Sequence, residues 1–353
     1  MEFITTYGLF LAKTITLVVA ILIVLAAAVA NASKGKKAEK GNISVTNLNE
    51  EIEDFSDEIK HAVVDDERLK LEYKAEKKKA KAEHKEKKKS AKQEEPEEAR
   101  KRLYVIDFDG DTKASQVDDL RKVITAILAI ARPNVDEVLL RLESPGGMVH
   151  GYGLAASQLD RIRKKNIPLT ICVDKVAASG GYMMACLGTK IIAAPFAYIG
   201  SVGVVMQLPN FHRLLKDNKV DFEMITAGQY KRTLTMFGEN SDADREKVTE
   251  EIQETHDLFK DFVKQSRPSL NIDEIATGET WFGTKALEMN LIDEVKTSDE
   301  CITEACAEAD VYAISYEHKK KIADRLGVAL ESSLDKTLFK WLHRSSNKDA
   351  FLS

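Results

Sequence analysis

Val173-Asp174-Lys175-Val176-Ala177-Ala178-Ser179-Gly180-Gly181-Tyr182 is the stretch on which the reading of this chain turns. The apolar, β-rich run Ile167 to Val173 leads into it, and the Ala/Met-rich helical pattern from Tyr182 to Leu187 leaves it. Between them lies a turn of small residues with one hydroxyl at its tip, Ser179. A serine at a strand-to-helix junction has the next backbone N–H groups pointing outward at the helix start, where they can hold a developing negative charge. That is the arrangement an acyl-transfer nucleophile needs. An ordinary tight turn uses the same residue types, so the rest of the chain has to decide.

Outward from this turn, strand and helix patterns alternate. Tyr104 to Phe108 reads as a strand that Gly110 and Asp111 end, and Gln116 to Ile130 carries Val117, Leu120, Val123, Ile124, Ile127 and Leu128 at helical spacing. Glu137 to Leu142 is a second strand, Tyr152 to Arg163 a helix, and Lys190 to Ala194 a strand after the Ser179 turn. Such alternation predicts a parallel α/β core. Lys190, Pro195, Gly188, Gly200 and Gly203 mark the apolar run Met183 to Met206 as buried strands and turns rather than a membrane span.

A second informative stretch, Glu143-Ser144-Pro145-Gly146-Gly147, ends the strand from Glu137. Its glycines let the backbone approach a ligand and turn an N–H inward. The N–H of Gly146, or of Gly147, with that of Gly180 would make a two-donor oxyanion hole; a plain strand-ending turn is the alternative. For a base, His212 and His150 have no evident orienting carboxylate. Ala177 replaces the first glycine of the G-x-S-x-G elbow, and no zinc-protease, Walker A or dinucleotide fingerprint is present. Lys231, after the strand-like Phe222 to Ile225, can serve if burial keeps its amine neutral, as in tuned catalytic lysines of pKa about 7–8. The sequence predicts no metal and no cofactor. Cys172 and Cys186 lie in apolar runs and read as buried thiols, whereas Cys301 and Cys306 leave a bridge open.

The ends differ from this core. Gly8 to Ala30 is almost wholly apolar, long enough to span a bilayer, with Lys13 as its one charge near the start. A cleaved signal peptide is the rival, with Ala-Asn-Ala at 30–32 as a cleavage site, but the run is long for one and no basic residue precedes it. Lys34, Lys36, Lys37 and Lys40 after the span favour a cytoplasmic catalytic domain by the positive-inside rule. Leu48, Ile52, Phe55, Ile59 and Val63 form one face of an amphipathic helix expected to pack within the protein. Arg68 to Arg102, rich in Lys, Glu and Ala, reads as a solvated charged helix or disorder, a spacer that Pro96 interrupts near its end. Domains follow at 8–30 (anchor), 34–102 (spacer), 103–310 (catalytic domain) and 311–353 (C-terminal extension). That extension has a strand-like start and an amphipathic piece from Leu330 to Leu342. The net charge of −5, with bases interleaved among acids, argues against nucleic acid as a partner.

Taken in order, Glu143 to Gly147, Ala178 to Tyr182, Gly200-Ser201-Val202-Gly203-Val204, Gly228-Gln229-Tyr230-Lys231 and Gly278 to Gly283 resemble the signal peptide peptidase A family of membrane serine peptidases. The anchor and charged extension look most like its SohB branch. The resemblance covers roughly residues 103–300. It implies a ClpP/crotonase-like α/β fold with an N-terminal transmembrane helix and charged helical spacer. It further implies Ser179 as nucleophile, Lys231 as general base, Ser201 orienting the lysine, and Gly146 and Gly180 as oxyanion donors. Met183 stands where the family often has an aromatic. Peptide substrates, hydrophobic or signal-peptide-like, the inner-membrane bilayer, and a homo-oligomer in which the dyad can be completed between subunits are the implied partners. The family faces the periplasm, against the charge asymmetry. A crotonase-like acyl-CoA enzyme, or a non-catalytic membrane scaffold, would share parts of this pattern without a Ser/Lys pair.

Overall fold

A computed structural model describes residues 6–11, 13–17, 41–65, 68 and 100–318. The described residues from 43 to 316 belong to one compact unit; residues 6–11, 13–17, 41–42 and 317–318 belong to a second. In the second, residues 6–11 and 13–17 are helical, and the rest of the expected 8–30 anchor lies outside the described residues. Among the described residues no helix is long and apolar enough to cross a membrane. Most of the Arg68 to Arg102 spacer and the Leu330 to Leu342 piece also fall outside them.

The large unit is built on a seven-stranded sheet and a three-stranded one. In chain order the strands are β1 (Asn42–Asn47), β2 (Arg102–Asp109), β3 (Glu137–Glu143), β4 (Leu169–Val173), β5 (Val176–Ala178), β6 (Lys190–Ala193), β7 (Tyr198–Gly200), β8 (Thr280–Phe282), β9 (Glu294–Val295) and β10 (Asp310–Glu317). The large sheet runs β1-β10-β2-β3-β4-β6-β9, and every step from β10 to β9 is parallel. In the small sheet β7 pairs parallel with β5 and antiparallel with β8. A bridge between Ser144 and Ala177 joins the two sheets.

The helices are α1 (Leu48–Val63), α2 (Val117–Ile130), α3 (Val149–Arg163), α4 (Gly180–Ala185), α5 (His212–Asp217), α6 (Asp242–Ser266), α7 (Ile272–Ile275), α8 (Gly283–Glu288) and α9 (Ser298–Glu308). Alternation along each strand sorts the core into two. Tyr104, Ile106 and Phe108 of β2, with Ile171 and Val173 of β4, meet Val123 and Ile127 of α2, Leu159 of α3 and Tyr182 of α4. Leu103 and Val105 of β2, Leu139 of β3, Cys172 of β4 and Ile192 of β6 meet Ile302 of α9 on the other face. The strands read as continuous apolar runs because both faces are covered. The strand-like start expected at Val311 is β10, which lies between β1 and β2.

Two expectations change. The apolar stripe of α1 does not pack inward: Leu48 touches the core, but Ile52, Phe55, Ile59 and Val63 are exposed. Phe222 to Ile225 forms no strand, and Phe222, Met224 and Ile225 lie exposed, without the covered face that strand composition suggests. All four cysteines are free, Cys172 and Cys186 being buried. Cys301 and Cys306 share α9, where five residues of rise, about 7.5 Å, exceed the reach of a disulfide.

Asp136, wholly buried at the entry to β3, accepts from the N–H groups of Arg102 and Arg132 and from the Arg132 guanidinium. Burial works against the charge, but these bonds outweigh it and hold the Asp136 carboxyl below its ordinary value. A depressed folded pKa means stability that is present above the unfolded carboxylate pKa of about 3.9 and lost as pH falls through the folded value. Asp136→Ala should therefore cost about 3 kcal/mol at pH 7, and less at pH 3, in urea unfolding.

Candidate active site

Ser179 closes β5 and opens α4 with φ 53° and ψ −118°, a backbone state outside the ordinary regions for a residue with a Cβ. Such a state costs about 1–3 kcal/mol and persists only when its surroundings hold it. Here they do: the Ser179 N–H donates to the Gly200 carbonyl at 2.8 Å, and the Met183 N–H donates to the Ser179 carbonyl at 2.9 Å. Gly180 follows because nothing larger fits: a Cβ there would lie 2.4 Å from the Tyr152 ring. At Gly181 it would lie 2.5 Å from the Ser144 carbonyl oxygen. As the first residue of α4, Gly180 has no intrahelical acceptor for its N–H.

The Ser144 turn is locked to the same place. The Ser144 N–H donates to the Val176 carbonyl, and the Ala178 N–H to the Ser144 carbonyl, at 2.8 and 3.0 Å. The buried Ser144 hydroxyl lies 2.6 Å from the Tyr152 hydroxyl, which itself donates to the Asp111 carbonyl at 2.8 Å. Burial pushes the Tyr152 phenol above its usual pKa, so it remains a neutral donor. Gly146, at φ +89°, sits so close to the nucleophile that a Cβ would be 2.7 Å from the Ser179 Cβ and 2.9 Å from the Gly180 nitrogen. Its N–H donates to the Ser144 hydroxyl at 3.1 Å, so the expected oxyanion donor has an internal partner, whereas Gly147 beside it also faces the cavity.

Ser179, Gly180, Gly146 and Ser201 all line one cavity of about 840 Å³. Ser201, also at positive φ (52°), is pinned by its N–H to the Glu279 carbonyl at 2.6 Å. Met183, Val205, Leu258, Phe259 and Phe262 make much of the wall apolar. Lys231 does not line this cavity: it is exposed, in a turn where its N–H donates to the Gly228 carbonyl at 3.1 Å. His150 is exposed at the start of α3, and His212 starts α5; neither lines the cavity. The histidine that does is His256 on α6, whose Nε2 is buried and has no partner among the described residues. The sequence reading stopped short of it; the signal was its place at the upstream end of the apolar stripe Phe259, Phe262 and Val263. Among the described residues no cluster of His, Cys, Asp and Glu is arranged to hold a metal ion.

Comparison with known proteins adds to this geometry. Residues 2–159 match the family model for the N-terminal region of peptidase family S49, and residues 161–312 match that of peptidase family S49 itself. A probable protease SohB of Haemophilus influenzae is 46% identical over 351 residues, covering 99% of this chain and 98% of that protein. A probable protease SohB of Buchnera aphidicola subsp. Schlechtendalia chinensis is 49% identical over 304 residues, 86% of this chain and 99% of that protein. Protease 4 of Haemophilus influenzae is 25% identical over 203 residues, 57% of this chain and 32% of that protein.

Gly180→Ala would drive a methyl into the Tyr152 ring and rotate the turn that presents Ser179. The variant should fold with a lowered melting temperature and lose Ser179 labelling by a fluorophosphonate probe. Tyr152→Phe, which takes away a hydroxyl partner of Ser144 but keeps the ring, should keep the label and cost about 1–2 kcal/mol in denaturant unfolding.

Proposed function

The chain belongs to peptidase family S49, and on that premise we propose that it is a membrane-anchored serine endopeptidase that cleaves hydrophobic or signal-peptide-like segments through a Ser179/Lys231 dyad. The observation that carries the serine mechanism is the convergence at one cavity of a strained Ser179, the Gly180 N–H and the Gly146–Gly147 turn. The apolar wall made by Met183, Leu258, Phe259 and Phe262 supports an apolar substrate side chain. The parallel sheet, with a small second sheet bridged to it just beyond the end of β3, supports the ClpP/crotonase-type reading.

In the proposed reaction the amine of Lys231 takes the Ser179 hydroxyl proton as the oxygen attacks a peptide carbonyl. The Gly180 N–H and one N–H of the Gly146–Gly147 turn hold the oxyanion. The lysine then gives its proton to the leaving amine, and water hydrolyses the acyl-enzyme. Ser201, on the cavity wall, orients the amine.

Lys231 reaches that cavity as the contribution of a neighbouring copy in a homo-oligomer. The segment that bears it carries Val205, Phe222, Met224, Ile225 and Tyr230 exposed, a surface that another copy would cover. The apolar run Gly8 to Ala30 supports a single-pass anchor in the inner membrane, and the family resemblance supports a periplasmic catalytic domain.

Ser179→Ala and Lys231→Ala should each abolish casein and peptide hydrolysis in detergent. Co-assembly of the two inactive chains should restore part of it, since mixed neighbours bring an intact serine to an intact lysine. Activity retained in Ser179→Ala would end the serine reading; activity lost in both and never restored would end the shared site.

A further inference from the structure

The sheet face opposite the helices that line the Ser179 cavity holds two thiols. Cys172 points from β4 into the core cluster that Ile302 of α9 completes, and Cys301 of α9 packs against the same cluster. The register between strand and helix is fixed by Asp174. Its carboxylate accepts from the Ser298 N–H at 2.8 Å and from the Ser298 hydroxyl at 2.5 Å. Asp174 lies directly beyond the end of β4, two residues after Cys172. Ser298 and Cys301 are three apart on a helix, so they share a face. The Asp174–Ser298 clasp holds the first turn of α9 against the end of β4, and Cys301, one turn further on, packs against the cluster that contains Cys172.

The charges around the pair favour a thiolate on the outer sulfur. The neighbouring Cys172 thiol favours it most, and Lys296 and Lys190 act in the same sense; partial burial and Glu304 oppose them. Lys190 and Lys296 are themselves paired with Glu294 and Glu304. The balance pushes the Cys301 thiol down to about 7, while the neighbouring Cys301 and burial push Cys172 up. Cys301 is half-buried, within reach of a small oxidant, and Cys172 is fully enclosed. A low-pKa, accessible sulfur beside a second thiol is the arrangement of an oxidisable dithiol.

We propose that Cys301 and Cys172 form a reversible thiol–disulfide pair, with Cys301 the sulfur that reacts with hydroperoxides and Cys172 the one that resolves it. The Cys301 thiolate attacks one peroxide oxygen; an S–O bond forms, the O–O bond breaks, and the leaving oxyanion takes a proton to become water or an alcohol. Cys172 then attacks the Cys301 sulfur as its own proton is lost. An S–S bond forms, the S–O bond breaks, and hydroxide departs with that proton as water. The two thiols lose two electrons and the peroxide gains them; a dithiol reductant reverses the bond. The disulfide would tie β4, the strand leading to Ser179, to α9.

Peptide mass mapping of the purified full-length chain after hydrogen peroxide at neutral pH tests this without reference to hydrolysis. Native alkylation comes first: Cys301 should react with iodoacetamide faster than Cys306, and at a lower pH than Cys306 requires. Peroxide should then produce one linked peptide containing Cys172 and Cys301, reversed by dithiothreitol. In Cys172→Ala the link should vanish and a Cys301 sulfenic acid should become trappable by dimedone. A Cys301 no more reactive than Cys306, a sulfenic acid that persists in the unaltered chain, or a link to any other cysteine would overturn the proposal.

Discussion

Three main-chain hydrogen bonds hold the candidate site together: Ser144 to Val176, Ala178 to Ser144 and Ser179 to Gly200. They fasten the ends of β3, β5 and β7 to one another, although those segments are far apart in sequence. Without them the Ser179 backbone would relax out of its left-handed state, because nothing local favours it there. The glycines at 146, 180 and 181 are consequences of the same fastening. Each lies where another chain segment already occupies the volume of a Cβ.

This fastening is possible because the large sheet presents different faces to different tasks. One face carries α2, α3 and α4 and builds toward the cavity; the other is closed by α9. Tyr152 belongs to the first face and works in both capacities. Its ring fills the space under Gly180, and its hydroxyl joins Ser144 to the Asp111 carbonyl. Packing and polar satisfaction are thus met by one side chain, which leaves that position little room for substitution.

Much of the core was legible in the sequence because it depends on short-range pattern. β2, β3, β4 and β6 were apolar runs, and α2 carried its apolar residues at helical intervals, which periodicity reports directly. The Ser179 turn was legible from its small residues between a strand and a helix. The occupied N–H of Gly146 was not, since the acceptor is a hydroxyl whose direction depends on Tyr152. The misread segments share one cause. Phe222 to Ile225 has strand composition, and the stripe of α1 has helix-packing composition, but composition cannot supply the neighbour that would cover them. Lys231 falls in the same class: its residue type suits a base, and its setting within a single chain leaves it exposed.

The insertion of β10 between β1 and β2 bears on how the chain is made. On the ribosome β1 emerges early, yet its place in the sheet exists only after Asp310 to Glu317 has been synthesised and has paired with β2. Asn49, just after β1, waits for the same event: it donates to the carbonyls of Cys306 and Ala309 and accepts from the Val311 N–H. Until Asp310 to Glu317 has emerged, β2 is a naked margin and β1 has no strand to dock on, so this side of the sheet closes from its last strand backward to its first.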